Sequence, residues 1–270
     1  PSIGVLLSID KDHKELEELH TIFQTFQKNT KDIFIVNQSH ALAKLFSTNP
    51  KNDFGAIILL EGQNFEQDGF SISFEVQGIV CKIPTIGKHN MENALACIAV
   101  ATKLGLTIAQ CAEALASYEG IYRRHQKIGE KRGVILIDDY AHNPAKIAAS
   151  IRACQPIAPK LIAWFQPHGY GPTRFIRKEL VHEIATTLRA EDEIWMSEIY
   201  YAGGTAIKDI SSKDLINDLQ ELGVHAYFEE DRHALFANKI ASIPPNVIIL
   251  LMGARDPSLE YFAKEVWDML

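Results

Sequence analysis

Apolar residues along the chain fall into short runs of strand length, separated by longer segments whose apolar positions recur at helical spacing. The first half carries the runs IGVLLSI, IFIVN, AIILLEG and the pair FSISFEV/IVCKI, with amphipathic segments near residues 15 to 28 and 39 to 47. From Asn90 to about Lys103 the pattern turns helical and alanine-rich. Gly105 stops it, and Thr107 is placed to cap a second helix running to about Tyr118. Gly120 breaks the chain, and beyond it come VILID, LIAWFQ, EIWMSE, HAYFEE and VIILLMG, mostly separated by helical segments. Strands alternating with helices predict an α/β fold with an open, mainly parallel sheet covered on both faces. A domain boundary is placed at about residue 119, which gives domains 1–118 and 119–270. There is no internal repeat or low-complexity tract.

Composition narrows the partners. With 270 residues and 47% apolar content the chain is long enough for one large or two medium cores. Its net charge of -7 and isoelectric point near 5.8 argue against a nucleic-acid or anionic-membrane partner, since phosphate-coated partners need a basic face. The four cysteines, Cys81, Cys97, Cys111 and Cys154, contain no CxxC pair, so a disulfide framework or zinc cluster is disfavoured and a reducing cytoplasm is expected. No apolar run is long enough to span a bilayer, and no signal-peptide pattern opens the chain.

In an open α/β sheet, ligands bind beyond the carboxyl ends of the strands. The residues that follow the expected strands are Asp10, Asp12 and His13; Asp138 to His142; Pro167 to Arg174; Glu198 to Gly204; and Gly253 to Ser258. Within IDDYAHNP, Asn143 and Pro144 read as a helix N-cap and first-turn pair. Asp138 and Asp139 are neighbours on an extended segment, so they point to opposite sides and one faces the crevice. His142, at a helix start, is either a packing histidine or a substrate contact. Asn90 and Asn93 lie three apart on one helical face, where they suit a purine edge or serve as a cap and a solvated amide. Arg123 and Arg124, in a basic stretch of an acidic chain, are either surface charges or a guanidinium pair for a polyphosphate. Other chemistries are excluded or weakened. Gly87-Lys88 lacks the first glycine and the Ser/Thr of a P-loop, Gly169-Tyr170-Gly171 lacks the third glycine of a dinucleotide fingerprint, and no GxSxG elbow is present.

The segments GKHNMENALACIAVATKLG, YEGIYRRH and ILIDDYAHNPAKI, in that order and at this spacing, resemble the Mur ligase family. FQPH and EIYYAGG look most like its alanine-adding branch. The resemblance implies that residues 1–118 correspond to the later part of the central ATPase domain, and 119–270 to a complete, Rossmann-like C-terminal domain. Together with the start at Pro1, it implies a segment of a longer protein whose UDP-sugar domain and P-loop half precede it, and which is inactive by itself. The implied activity is an ATP-dependent carboxylate-amine ligase of peptidoglycan precursor synthesis, joining an amino acid to UDP-N-acetylmuramate. Its cofactors would be ATP and Mg2+. By motif match, His13 would hold magnesium, Asn90 and Asn93 would meet adenine, Arg124 the phosphates and Asp139 the ribose. Tyr140, His142 and His168 would approach the incoming amino acid, with Arg124 and His142 carrying the chemistry. Such a site would form when the two domains close. Gly169 and Pro172 stand where the alanine-adding branch carries arginine, so Arg174 is left for the acceptor carboxylate, with Arg255 as a substitute. The competing readings are a murein peptide ligase, a ligase-derived binding module without catalysis, and a dinucleotide-dependent oxidoreductase.

Overall fold

A computed structural model describes residues 1–10, 15–55, 60–201 and 203–270. The chain divides into two compact units, Pro1–Glu119 and Gly120–Leu270.

In the first unit, β1 (Ile3–Leu6) and β2 (Ile33–Val36) pair in parallel, connected through α1 (Leu16–Lys28). Leu19, Phe23 and Phe26 of α1 pack on Leu6, Ile9, Phe34, Val36 and Phe46. The amphipathic stretch at 39 to 47 yields only one turn of 3-10 helix, Ala43–Phe46. Next come β3 (Gln63–Asp68), β4 (Ser71–Val76) and β5 (Ile79–Ile83), which form an antiparallel sheet. The β4 residues alternate, with Ile72, Phe74 and Val76 buried. Strand β3, QNFEQD, lacks that alternation of apolar residues and was not foreseen; it pairs along the edge with no buried residue. Helices α2 (Lys88–Lys103) and α3 (Ile108–Ala116) complete the unit. Thr107 caps α3 in a reciprocal box: its hydroxyl accepts from the Gln110 amide N–H at 3.2 Å, and Gln110 Oε1 accepts from the Thr107 amide N–H at 2.9 Å. The beginning of AIILLEG, and Asp12 and His13, lie outside the described residues.

The second unit runs β6 (Gln126–Lys131), β7 (Val134–Asp139), α4 (Pro144–Cys154), β8 (Lys160–Gln166), α5 (Tyr170–Thr187), β9 (Glu193–Met196), α6 (Ser212–Glu221), β10 (His225–Phe228), α7 (Arg232–Lys239), β11 (Val247–Gly253) and α8 (Leu259–Met269). Its six strands lie in the order β10-β9-β8-β11-β7-β6. All pair in parallel except β6, which joins β7 antiparallel at the edge. That strand lies inside the basic stretch YRRHQKIGEKR, whose charges hide a mixed, half-exposed alternation. Every residue of β11 is buried, as expected of a central strand covered on both faces. One face carries Trp164, Trp195, Ile249 and Leu251 against Phe236 of α7 and Phe262 and Val266 of α8, with the Trp164 and Phe262 rings 4.7 Å apart. On the other face α4 packs on β11 and β8, followed by α5 and α6. No helix among the described residues is long and apolar enough to cross a membrane.

Strand register sets the level of the loops that matter. Asp139 is opposite Met252, and Gly253 is opposite Gln166, so β7, β11 and β8 end side by side.

Candidate functional site

Three loops therefore meet at the carboxyl edge of the second unit. Arg123 and Asp138 fasten two of them. The Arg123 Nε donates to Asp138 Oδ2 at 2.9 Å, and Nη2 donates to the Gly253 carbonyl at 3.0 Å and to Asp138 Oδ1 at 3.4 Å. Both side chains are interior, Arg123 being 6% and Asp138 4% exposed. Burial pushes the Asp138 carboxyl above its usual range, opposed by the charge and hydrogen bond of Arg123. The expected guanidinium pair is thus corrected: Arg123 is an internal tie, and Arg124 is the exposed member. Among the described residues, no carboxylate pairs with Arg124. Its Cζ stands 5.1 Å from the centroid of the Tyr140 ring, which also faces Arg123 at 5.3 Å.

Asp138 and Asp139 do point to opposite sides, but neither faces open solvent. Asp139 is 4% exposed. Its Oδ1 accepts from the amide N–H of Tyr140 at 2.9 Å and of His125 at 3.3 Å, and its Oδ2 accepts from the Ser150 hydroxyl at 2.5 Å. A carboxylate offers about four acceptor positions. Three are taken here. His125 completes this cluster, with Nε2 2.9 Å from Ser150 Oγ and 3.6 Å from Asp139 Oδ2. Burial lowers the His125 imidazole from its ordinary 6.5, the Asp139 carboxylate acting against that shift. The linkage has a definite sign. Above about pH 6.5 both states hold a neutral imidazole; as pH falls below that, the unfolded chain takes up a proton that the folded one refuses. Stability therefore declines below about pH 6.5 until the lowered folded value is reached, by at most about 1.4 kcal/mol per pH unit for one proton. Urea midpoints of wild type and His125→Gln compared at pH 7.5 and pH 5 check this: the variant should lose less stability on acidification, and an equal loss would place His125 in contact with water.

Tyr140 donates its amide N–H to the Arg123 carbonyl at 2.9 Å, and its ring meets the His142 ring edge-on at 5.7 Å. His142 Nδ1 lies 2.9 Å from the Tyr140 carbonyl. Since a carbonyl only accepts, Nδ1 carries the proton of that bond. Asn143 caps α4 through Oδ1 to the Lys146 amide, with Pro144 in the first turn. His168 brings its ring to 5.6 Å from that of His142. Its backbone is set by a parallel bridge to Tyr200, and Gly169, at φ +72°, donates its N–H to the Tyr200 carbonyl at 2.8 Å. Strand ends β7 and β8 thus bring Tyr140, His142 and His168 together.

The remaining candidates are placed elsewhere. Arg174 is engaged: it bonds Asp209 and donates to the Ile207 carbonyl at 3.2 Å. Arg255 is exposed, and its loop is held by Arg232, which donates to Asp256 at 2.8 Å and Ser258 at 2.7 Å. In the first unit Asn90 does not cap α2; Gly87 occupies that position, at φ +88°. Asn90 Nδ2 instead holds the preceding loop through Thr85 Oγ1 at 3.0 Å and the Ile86 carbonyl at 2.8 Å, and its Oδ1 accepts from Asn93 Nδ2 at 3.2 Å. The two amides do meet, and Asn93 is the exposed one. His13 lies outside the described residues, and among those described no group of three or more His, Cys, Asp or Glu side chains is arranged to hold a metal ion.

Sequence reading missed Ser150, Gln126, whose Oε1 accepts the Arg123 amide N–H at 3.0 Å, and the Arg232–Asp256–Ser258 clamp. A serine in the apolar run AKIAASIRA was the available signal for the first of these, since a buried hydroxyl needs a partner.

A mostly parallel six-stranded sheet with polar loops gathered on its carboxyl edge defines an α/β domain of the open-sheet class. Residues 123–255 match the family model described as Mur ligase, glutamate ligase domain, which identifies the second unit as a domain of the Mur ligase family. Among curated relatives, UDP-N-acetylmuramate--L-alanine ligase of Caldicellulosiruptor bescii is 31% identical, over 95% of this chain and 59% of the relative. Among solved structures, UDP-N-acetylmuramate-alanine ligase MurC from Thermotoga maritima has a TM-score of 0.74 at 21% identity, covering 100% of this chain and 59% of that one. MurF ligase from Thermotoga maritima, solved in complex with ADP, has a TM-score of 0.69 at 16% identity, covering 100% of this chain and 63% of that one. The chain therefore spans about three-fifths of the length of these proteins.

Proposed function

We propose that the chain is the later part of an ATP-dependent ligase that joins an amino acid to the carboxylate of UDP-N-acetylmuramate in peptidoglycan precursor synthesis. The observation that carries this reading is Arg124: an exposed guanidinium without a carboxylate partner among the described residues, over the ring of Tyr140 beside His142. Phosphoryl transfer depends on charge neutralisation and alignment, and a planar guanidinium supplies both.

The reaction has two steps. A substrate carboxylate oxygen attacks the γ-phosphorus of ATP, the bond to the ADP oxygen breaks, and an acyl phosphate forms. The amine then attacks the acyl carbon, phosphate departs with the former carboxylate oxygen, and an amide remains. Arg124 is assigned to the phosphoryl oxygens. His142 is assigned to the acceptor, as the base that takes the proton the ammonium group must lose before attack. Asn93 is assigned to the adenine edge, with Asn90 orienting it. Asp139 is assigned to the ribose through its one remaining acceptor position. Tyr140 and His168 line the acceptor side, with Arg255 as an exposed cation for its carboxylate. Arg174 reaches that carboxylate only by releasing Asp209. Magnesium has no ligand set among the described residues, so no step here passes through it.

The test uses the protein encoded by the whole reading frame that contains this sequence, supplied with UDP-N-acetylmuramate, ATP and a panel of amino acids and short peptides. Phosphate release that requires both the sugar nucleotide and one acceptor is expected. No release across the panel would leave a binding module without catalysis, and release that is independent of the acceptor would be ATP hydrolysis and would overturn the ligase reading.

A further inference from the structure

Three consecutive residues, Arg123, Arg124 and His125, alternate between interior and surface. Arg123 and His125 both adopt left-handed backbone, at φ +53° and +47°, a region that residues with a Cβ occupy sparsely. Both are held there by interior bonds. Arg123 is tied to Asp138 and to the Gly253 carbonyl. His125 is tied through Ser150, and the direction of that chain follows from proton count. The single Ser150 hydroxyl proton goes to Asp139 Oδ2, so His125 Nε2–H donates to Ser150 Oγ. The far end of the chain returns to the same segment, because Asp139 Oδ1 accepts the amide N–H of His125 itself and of Tyr140. A closed loop of bonds therefore joins the residue after Arg124 to the residue whose ring carries the Arg124 guanidinium.

We propose that His125 is a positioning residue for Arg124, acting through Ser150 and Asp139 to hold the Arg124 guanidinium on the Tyr140 ring. The inference rests on reading Arg124 as a phosphate contact. The left-handed turns on either side leave Arg124 few backbone alternatives, and the shared carboxylate fixes the Tyr140 platform relative to it. An arginine held in place loses less side-chain freedom on meeting an anion.

Two measurements on the protein of the whole reading frame separate this inference from the reading beneath it. The first needs no ligand. By NMR, the Arg124 Hε resonance should carry a ring-current shift from Tyr140. The shift should be lost in Ser150→Ala, which removes one hydroxyl, and in His125→Ala. It should be kept in His125→Gln, whose side-chain amide donates toward Ser150. An Arg124 resonance that is unchanged in Ser150→Ala overturns the positioning role, and this arm decides even if His125→Ala fails to fold. The second measurement titrates ADP and adenosine. His125→Ala and Ser150→Ala should weaken ADP roughly tenfold more than they weaken adenosine, whose ribose also meets Asp139, the order of one lost charge-assisted hydrogen bond. In an Arg124→Ala background the same changes should weaken ADP no more than adenosine. An equal loss in that background, or a parallel loss of adenosine, means His125 is merely structural. If Arg124→Ala itself leaves ADP affinity unchanged, or wild type does not bind ADP, the phosphate reading of Arg124 fails, and with it the purpose of the brace.

Discussion

Arg123→Ala is expected to destabilise the second unit by about 3–5 kcal/mol, because it strands the Asp138 carboxylate in the interior without its counter-charge. The loss has two parts. One is the removal of a bidentate pair with a 2.9 Å Nε to Oδ2 bond, and the other is the orphaned Gly253 carbonyl. Urea unfolding monitored by the tryptophans of this unit, Trp164 and Trp195 among them, measures it directly. The double change Arg123→Met with Asp138→Leu removes both charges and should restore most of the stability, since a buried ion pair is worth little against apolar residues of similar volume. A single-variant loss below about 1 kcal/mol would mean that water reaches the pair and that Arg123 is a surface charge after all.

Arg124→Ala is expected to act in the opposite way, on rate and not on stability. In the protein of the whole reading frame, phosphate release should fall about 10²- to 10³-fold, the usual cost of removing one preorganised donor from developing charge. The urea midpoint should stay where it is, because the side chain is exposed and holds no other of the described residues by an ion pair. Arg124→Lys should recover part of the rate: it restores a charge but not the planar fork. An unchanged rate in Arg124→Ala would return this residue to the solvated surface and remove the main support for a nucleotide at this edge.

These two neighbours also mark how far the sequence could be read. Pattern sufficed where burial dictates pattern. The uniformly apolar VIILLMG became the central strand β11, and Thr107 with Gln110 formed its capping box because both signals are local. Local polarity misled where a residue's partner lies far away in the chain. Nothing in YRRHQ distinguishes Arg123 from Arg124. Their division of labour is set by Asp138, fifteen residues on, and by Gly253, 130 residues on. The same distance dependence hid the fate of Asp139, whose carboxylate is occupied by His125 and Ser150. It hid that of Arg174 too, which Asp209 engages. Strand β6 was masked for a different reason. An edge strand with charges on its exposed positions has too weak an alternation to stand out from a basic loop. The meeting of Tyr140, His142 and His168 was partly legible, since loops that follow parallel strands share one edge of the sheet whatever their separation in sequence.

The most direct test of the proposed chemistry follows an oxygen atom. UDP-N-acetylmuramate carrying 18O in its carboxylate is incubated with ATP, an active acceptor and the protein of the whole reading frame, and the released phosphate is analysed by mass spectrometry. Transfer of one 18O per phosphate is the predicted result, because the acyl phosphate leaves with a former carboxylate oxygen. Phosphate without label, formed at the same rate as amide, would contradict the account.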